Sequence, residues 1–66
     1  MDERTEKRIS EFIKSKPDKG TLLLNDIDRE MLENHFNSNF PDYCFNVIEQ
    51  AEDSATFLIV TYKKST

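Results

Sequence analysis

Residues Leu22–Phe36 read LLLNDIDREMLENHF, and the change of pattern inside this stretch decides the fold. Three consecutive leucines follow the Lys19-Gly20 turn and read as a short buried strand. They stop at Asn25, and an amphipathic helical pattern starts at once. Asn25 is a good N-cap, and Asp28 three residues later can serve as the acidic half of a capping box. Asp26, Asp28 and Glu30 bring negative charge to the first turn, where the helix dipole favours it. The segment therefore predicts a strand at Thr21–Leu24 running directly into a helix over about Asp26–Asn39.

Upstream, Ile9, Phe12 and Ile13 recur at helical spacing, which predicts a helix from Glu3 to Ser15. Lys16-Pro17 ends it, because the residue before proline avoids the α region. Pro17, Asp18, Lys19 and Gly20 make a turn. Downstream, Pro41-Asp42 closes the second helix. Tyr43–Gln50 alternates as a strand, with Tyr43, Phe45 and Val47 on one face and Cys44, Asn46 and Ile48 on the other. Ala51–Ser54 is a polar hairpin loop. Thr56–Lys63 is the last strand, with Phe57 and Ile59 on one face and Leu58, Val60 and Tyr62 on the other.

The expected fold is α+β, in the order αβαββ, with two helices packed on one face of a small three-stranded sheet. The last two strands form an antiparallel hairpin, and the first strand pairs with the C-terminal one. The expected core is Ile9, Phe12, Ile13, Leu22, Leu23, Ile27, Met31, Leu32, Phe36 and Val60.

At 66 residues the chain makes one domain, residues 1–66. A domain of this size buries roughly 60% of its unfolded surface, so its stability is marginal. Cys44 is the only cysteine, which excludes an internal disulfide and leaves no metal-ligand cluster. In an apolar run it reads as a small core residue. The charged N-terminus lacks the apolar stretch of a signal peptide, and Phe57–Val60 is far too short to span a bilayer. The expectation is an intracellular protein, cytoplasmic or nuclear, with no cofactor, metal or membrane partner.

Net charge is -4, unevenly spread. Arg29 is the only cation between Gly20 and Lys63, against eight carboxylates in the same span. Most of this surface repels a phosphate backbone. A nucleic-acid site must therefore use the two ends of the chain or Arg29: Lys63 and Lys64 first, then Arg4, Lys7 and Arg8.

No combination of residues points to catalysis. His35 is the only histidine and lies beside Phe36 on the apolar edge of its helix, where a backbone or water partner suffices. Glu30 and Glu33 stand one turn apart with no nucleophile beside them and read as a solvated face. Arg29 can contact phosphate or pair with Glu33, Glu30 or Asp26. Tyr43, Phe45, Phe57 and Tyr62 lie on strands, where stacking platforms are built, although strand aromatics also serve as core. Both faces of the expected sheet carry apolar side chains, so some of Phe57, Ile59, Tyr43, Phe45 and Val47 stay uncovered, and an uncovered apolar face marks a partner surface.

In order and spacing the chain resembles the R-three-H domain, a single-stranded nucleic-acid-binding module named for an Arg-x-x-x-His motif on its middle helix. Ile9–Lys16, ISEFIKSK, looks like the end of its first helix. Thr21–Asp26, TLLLND, looks like its strand and cap. Ile27–Phe36, IDREMLENHF, looks like the motif helix, and Phe40–Lys64, FPDYCFNVIEQAEDSATFLIVTYKK, like the closing hairpin. Arg29 matches the motif arginine, and Glu33 stands at the histidine position. The resemblance implies a non-enzymatic module that binds single-stranded RNA or DNA weakly through Arg29, Lys63 and Lys64. The alternative is an acidic protein–protein interaction module, or small regulator, docking on a basic partner through its sheet face.

Overall fold

The computed structural model describes residues 1–65. The chain runs α1 (Glu3–Ser15), β1 (Lys19–Asn25), α2 (Arg29–Asn39), β2 (Tyr43–Glu52) and β3 (Ala55–Lys64), a small α+β fold. The three strands form one antiparallel sheet in the order β1-β3-β2, so the C-terminal strand is central and pairs with β1 as its apolar content requires.

Helix α1 starts where Asp2, in extended backbone, accepts a hydrogen bond from the Thr5 amide at 2.8 Å. This bond holds the Asp2 carboxyl below its ordinary pKa. Helix α2 begins later than the sequence suggests. Asn25 is not its cap: β1 continues through Asn25, which pairs with Phe57, and Asp26 then takes a left-handed conformation at φ 58°. Asp28 is the cap and accepts from the Glu30 amide at 2.8 Å. The chain needs Asp26 and Ile27 to turn from the strand axis onto the helix axis. Ile27 precedes the cap, and both it and Leu32, four positions beyond the cap, join the core as in a hydrophobic staple.

Strands β2 and β3 extend to Glu52 and Ala55, leaving only Asp53 and Ser54 in the turn. Both have positive φ, 48° and 66°, as a type I′ hairpin turn requires. Because β1 pairs with β3 only from Phe57 to Lys63, the hairpin tip projects beyond β1.

The buried cluster joins Ile9 and Ile13 of α1 and Leu32 and Phe36 of α2 to Leu22, Leu24, Val47, Leu58, Val60 and Tyr62 of the sheet. Phe12 meets Tyr62 edge-on at 6.2 Å, and Phe36 stacks on Phe45 at 5.1 Å. Three expectations are corrected. Leu23 and Met31 are not core but 54% and 46% exposed. Leu23 alternates away from Leu22 and Leu24, so the leucine run is half in and half out. Cys44 is exposed rather than buried, because it points with Asn46 and Ile48 away from the cluster.

One end of the sheet is tied to the α1–β1 connection. Tyr62 donates its hydroxyl to the Lys16 carbonyl at 2.7 Å, and Tyr43 donates to that of Pro17 at 2.6 Å. The Lys64 amide donates to Asp18 at 2.8 Å. Among the described residues, no helix is long and apolar enough to cross a membrane.

Candidate functional site

Strand alternation assigns every residue of the sheet to one of two faces. Gly20, Leu22, Leu24, Phe45, Val47, Leu58, Val60 and Tyr62 turn toward the buried cluster. The opposite face is open, and the pairing register lays it out in cross-strand rows. Lys19, Lys63 and Cys44 form the first row; Thr21, Thr61 and Asn46 the second. Leu23, Ile59 and Ile48 form the third, and Asn25, Phe57 and Gln50 the fourth. Ala55 and Glu52 follow on the hairpin tip, ahead of Asp53 at the turn.

The open face thus grades from basic, through hydroxyl and amide groups, to apolar, and ends acidic. Leu23 is 54% and Ile48 50% exposed, flanking a partly buried Ile59. Phe57 is also partly buried, and among the described residues it is the only aromatic side chain on this face. Tyr43, Phe45 and Tyr62, the other candidate stacking residues, point to the opposite side and pack together there, with Tyr43 and Tyr62 edge-on at 5.6 Å.

The residues singled out for phosphate contact do not converge. Arg29 opens α2 and pairs with Glu33, its Nε 3.8 Å from Oε1, with both side chains about half exposed. Exposed pairs of this kind contribute about 0–1 kcal/mol. Arg29 follows the Asn25 end of β1, which pairs with Phe57, whereas Lys63 and Lys64 lie at the other end of β3. Six residues of strand between Phe57 and Lys63 correspond to roughly 20 Å. Lys63 projects on the open face, while Lys64, opposite Tyr43, belongs to the other side.

Lys63 instead has Lys19 directly across the ladder, and Lys16 borders the same shallow depression. Lys16 also places its Nζ 5.8 Å from the Phe12 ring centre. Sequence reasoning passed over both lysines because Lys19 falls in a predicted turn. Starting β1 at Lys19 brings it into register with Lys63.

His35 sits between the helices. Its Nδ1 lies 3.1 Å from Asn39 Nδ2, which also donates to the His35 carbonyl at 3.0 Å, and 3.8 Å from Glu6 Oε2. Its Nε2 is buried with no hydrogen-bond partner. The ring packs edge-on to Phe40 at 5.9 Å. Among the described residues, no group of three or more His, Cys, Asp or Glu side chains is placed to hold a metal ion. Comparison with protein-family models, with curated proteins and with solved structures gave no match to this chain.

Proposed function

We propose that this chain is a non-enzymatic binding module that docks on a protein partner through the open face of its sheet. The observation that carries this reading is the row Leu23–Ile59–Ile48, which keeps two half-exposed aliphatic side chains and a partly exposed third side by side on one face. With Phe57 it forms a continuous apolar patch, the kind of surface that marks an interaction site. Lys19 and Lys63 border it at one end, so the partner presents an apolar strip with carboxylates beside it.

This partner differs from the basic one that overall acidity suggests. The carboxylates of Glu3, Glu6, Glu11, Glu30 and Glu33 lie on the helices, and those of Asp18, Asp26, Asp28 and Asp42 in the connections, none of them at a strand position of the open face. A single-stranded nucleic acid fits the face less well. Its one aromatic, Phe57, stands at the far end from Lys19 and Lys63, and Arg29 is paired elsewhere.

Salt and substitution separate the two partners. Protein docking survives about 0.5 M salt, because apolar burial is not screened, and is lost on Leu23→Lys with Ile48→Lys. A single-stranded oligonucleotide titrated at low salt then leaves the amide resonances unshifted. Shifts centred on Lys19, Lys63, Lys64 or Arg29 that vanish by about 0.3 M salt would overturn the protein reading in favour of nucleic acid.

A further inference from the structure

The open face is complementary to itself, and we infer that the partner it fits is a second copy of this chain, turned end for end. The inference rests on the docking reading above and names its occupant. Two such sheets can meet face to face about a two-fold axis lying between them in either of two directions. An axis parallel to the strands over the central β3 sets Lys63 over Lys63 of the second copy, with both Lys19 residues in the same row, which is repulsive. An axis running across the strands keeps each strand over its own counterpart and reverses its direction.

Ile59 is the midpoint of β3 between Ala55 and Lys63, and Ile48 is the midpoint of β2 between Cys44 and Glu52. With the crosswise axis over the Leu23–Ile59–Ile48 row, that row packs on itself. Lys63 then stands over Ala55 of the second copy, with Glu52 of that copy on the adjacent strand, within reach of a lysine side chain. The same operation makes the contact twice. The hairpin tip, which projects beyond β1, covers Lys63 and Cys44 of the other copy. Face stacking between identical sheets is therefore apolar at the centre and sets Lys63 against Glu52 at each end.

The area makes the association weak. Three strands by eight residues project roughly 15 by 27 Å, or about 400 Å² per copy. A stable interface buries about 1,200–2,000 Å² in total, so this dimer forms with a Kd on the order of 100 µM.

Sedimentation velocity of the full chain from about 20 µM to about 1 mM, a range that brackets this affinity, tests the inference. The wild type shifts from monomer to dimer across the series. Lys63→Glu and Glu52→Lys each weaken the dimer about five- to tenfold, because each sets like charges together twice, and the double reversal restores it. These residues are exposed, so the folded chain tolerates the changes. A wild type that stays monomeric throughout, or a dimer unaffected by either single reversal, overturns the two-fold arrangement. A monomer whose Leu23 and Ile48 methyl groups become protected only when another protein is bound overturns the second-copy inference and leaves the docking reading standing. A dimer that survives Leu23→Lys with Ile48→Lys forms through another surface and overturns the two-fold arrangement.

Discussion

Gly20 lies directly across the β1–β3 ladder from Tyr62, and a Cβ at position 20 would stand 2.7 Å from the tyrosine hydroxyl and 2.9 Å from its ring carbon Cζ. The missing side chain lets the Tyr62 ring lie over β1 and reach the Lys16 carbonyl. The only glycine of the chain is thus a space requirement, since its φ is not positive. Gly20→Ala is expected to displace the ring, lose that hydrogen bond and cost about 1–3 kcal/mol. Combined with Tyr62→Phe, which removes the closest atom, it should cost less than the two single changes together. Urea denaturation of the three variants measures the coupling. Additive losses would show that the ring does not depend on Gly20.

Tyr62 also makes the stability depend on alkaline pH. Burial raises the pKa of its hydroxyl above the ordinary 10.0, and the neighbouring Tyr43 adds to the rise. A group whose folded pKa is raised contributes stability that is fully present below the unfolded value and is lost as pH climbs through the folded one. The thermal midpoint should therefore fall as pH rises from 10.0 upward. Tyr62→Phe should flatten that fall while costing about 1 kcal/mol at neutral pH through the lost hydrogen bond.

The cap of α2 gives a clear contrast. Asp28→Ala should lower stability by about 1 kcal/mol, because the Glu30 amide loses its partner. Asn25→Ala changes a solvent-facing strand residue and should stay within about 0.5 kcal/mol. Thermal melts of the two variants decide between the positions. A larger loss at Asn25 would return the cap to the strand end.

The hairpin turn leaves room for improvement. Ser54 holds φ 66°, a conformation that costs an L-residue about 1–2 kcal/mol and glycine almost nothing. Ser54→Gly should raise stability by about 0.5–1 kcal/mol, the net gain after glycine's greater unfolded-chain freedom. Chemical denaturation reads the gain, and a loss would contradict the type I′ geometry.

The element order, the pairing of β1 with β3 and the two faces of β2 and β3 were legible because apolar spacing and proline placement carry them. The α1 boundaries, Glu3 and Ser15, match those read from the Ile9, Phe12 and Ile13 spacing and from Lys16-Pro17. The start of α2 was not legible. Asn25, Asp26 and Asp28 are all competent caps, and only the length of β1, fixed by pairing with β3, decides among them. Leu22-Leu23-Leu24 reads as uniformly buried, whereas strand geometry turns Leu23 outward. An uncovered apolar face was legible from Phe57 and Ile59, but Leu23's place in it was not. Phosphate contacts read from Arg29, Lys63 and Lys64 are close only in motif logic. Their separation along β3 becomes visible once the register is known.

Methyl NMR with a soluble paramagnetic probe tests the open face most directly. In dilute protein the methyl groups of Leu23 and Ile48 should be strongly broadened, and those of Ile9 and Leu32, both 0% exposed, should not. Raising the concentration, or adding a docking partner, should then protect Leu23, Ile48 and Ile59 while leaving Met31, 46% exposed on α2, as accessible as before. Protection that appears at Met31 and spares the Leu23–Ile59–Ile48 row would contradict the assignment of the open sheet face as the docking surface.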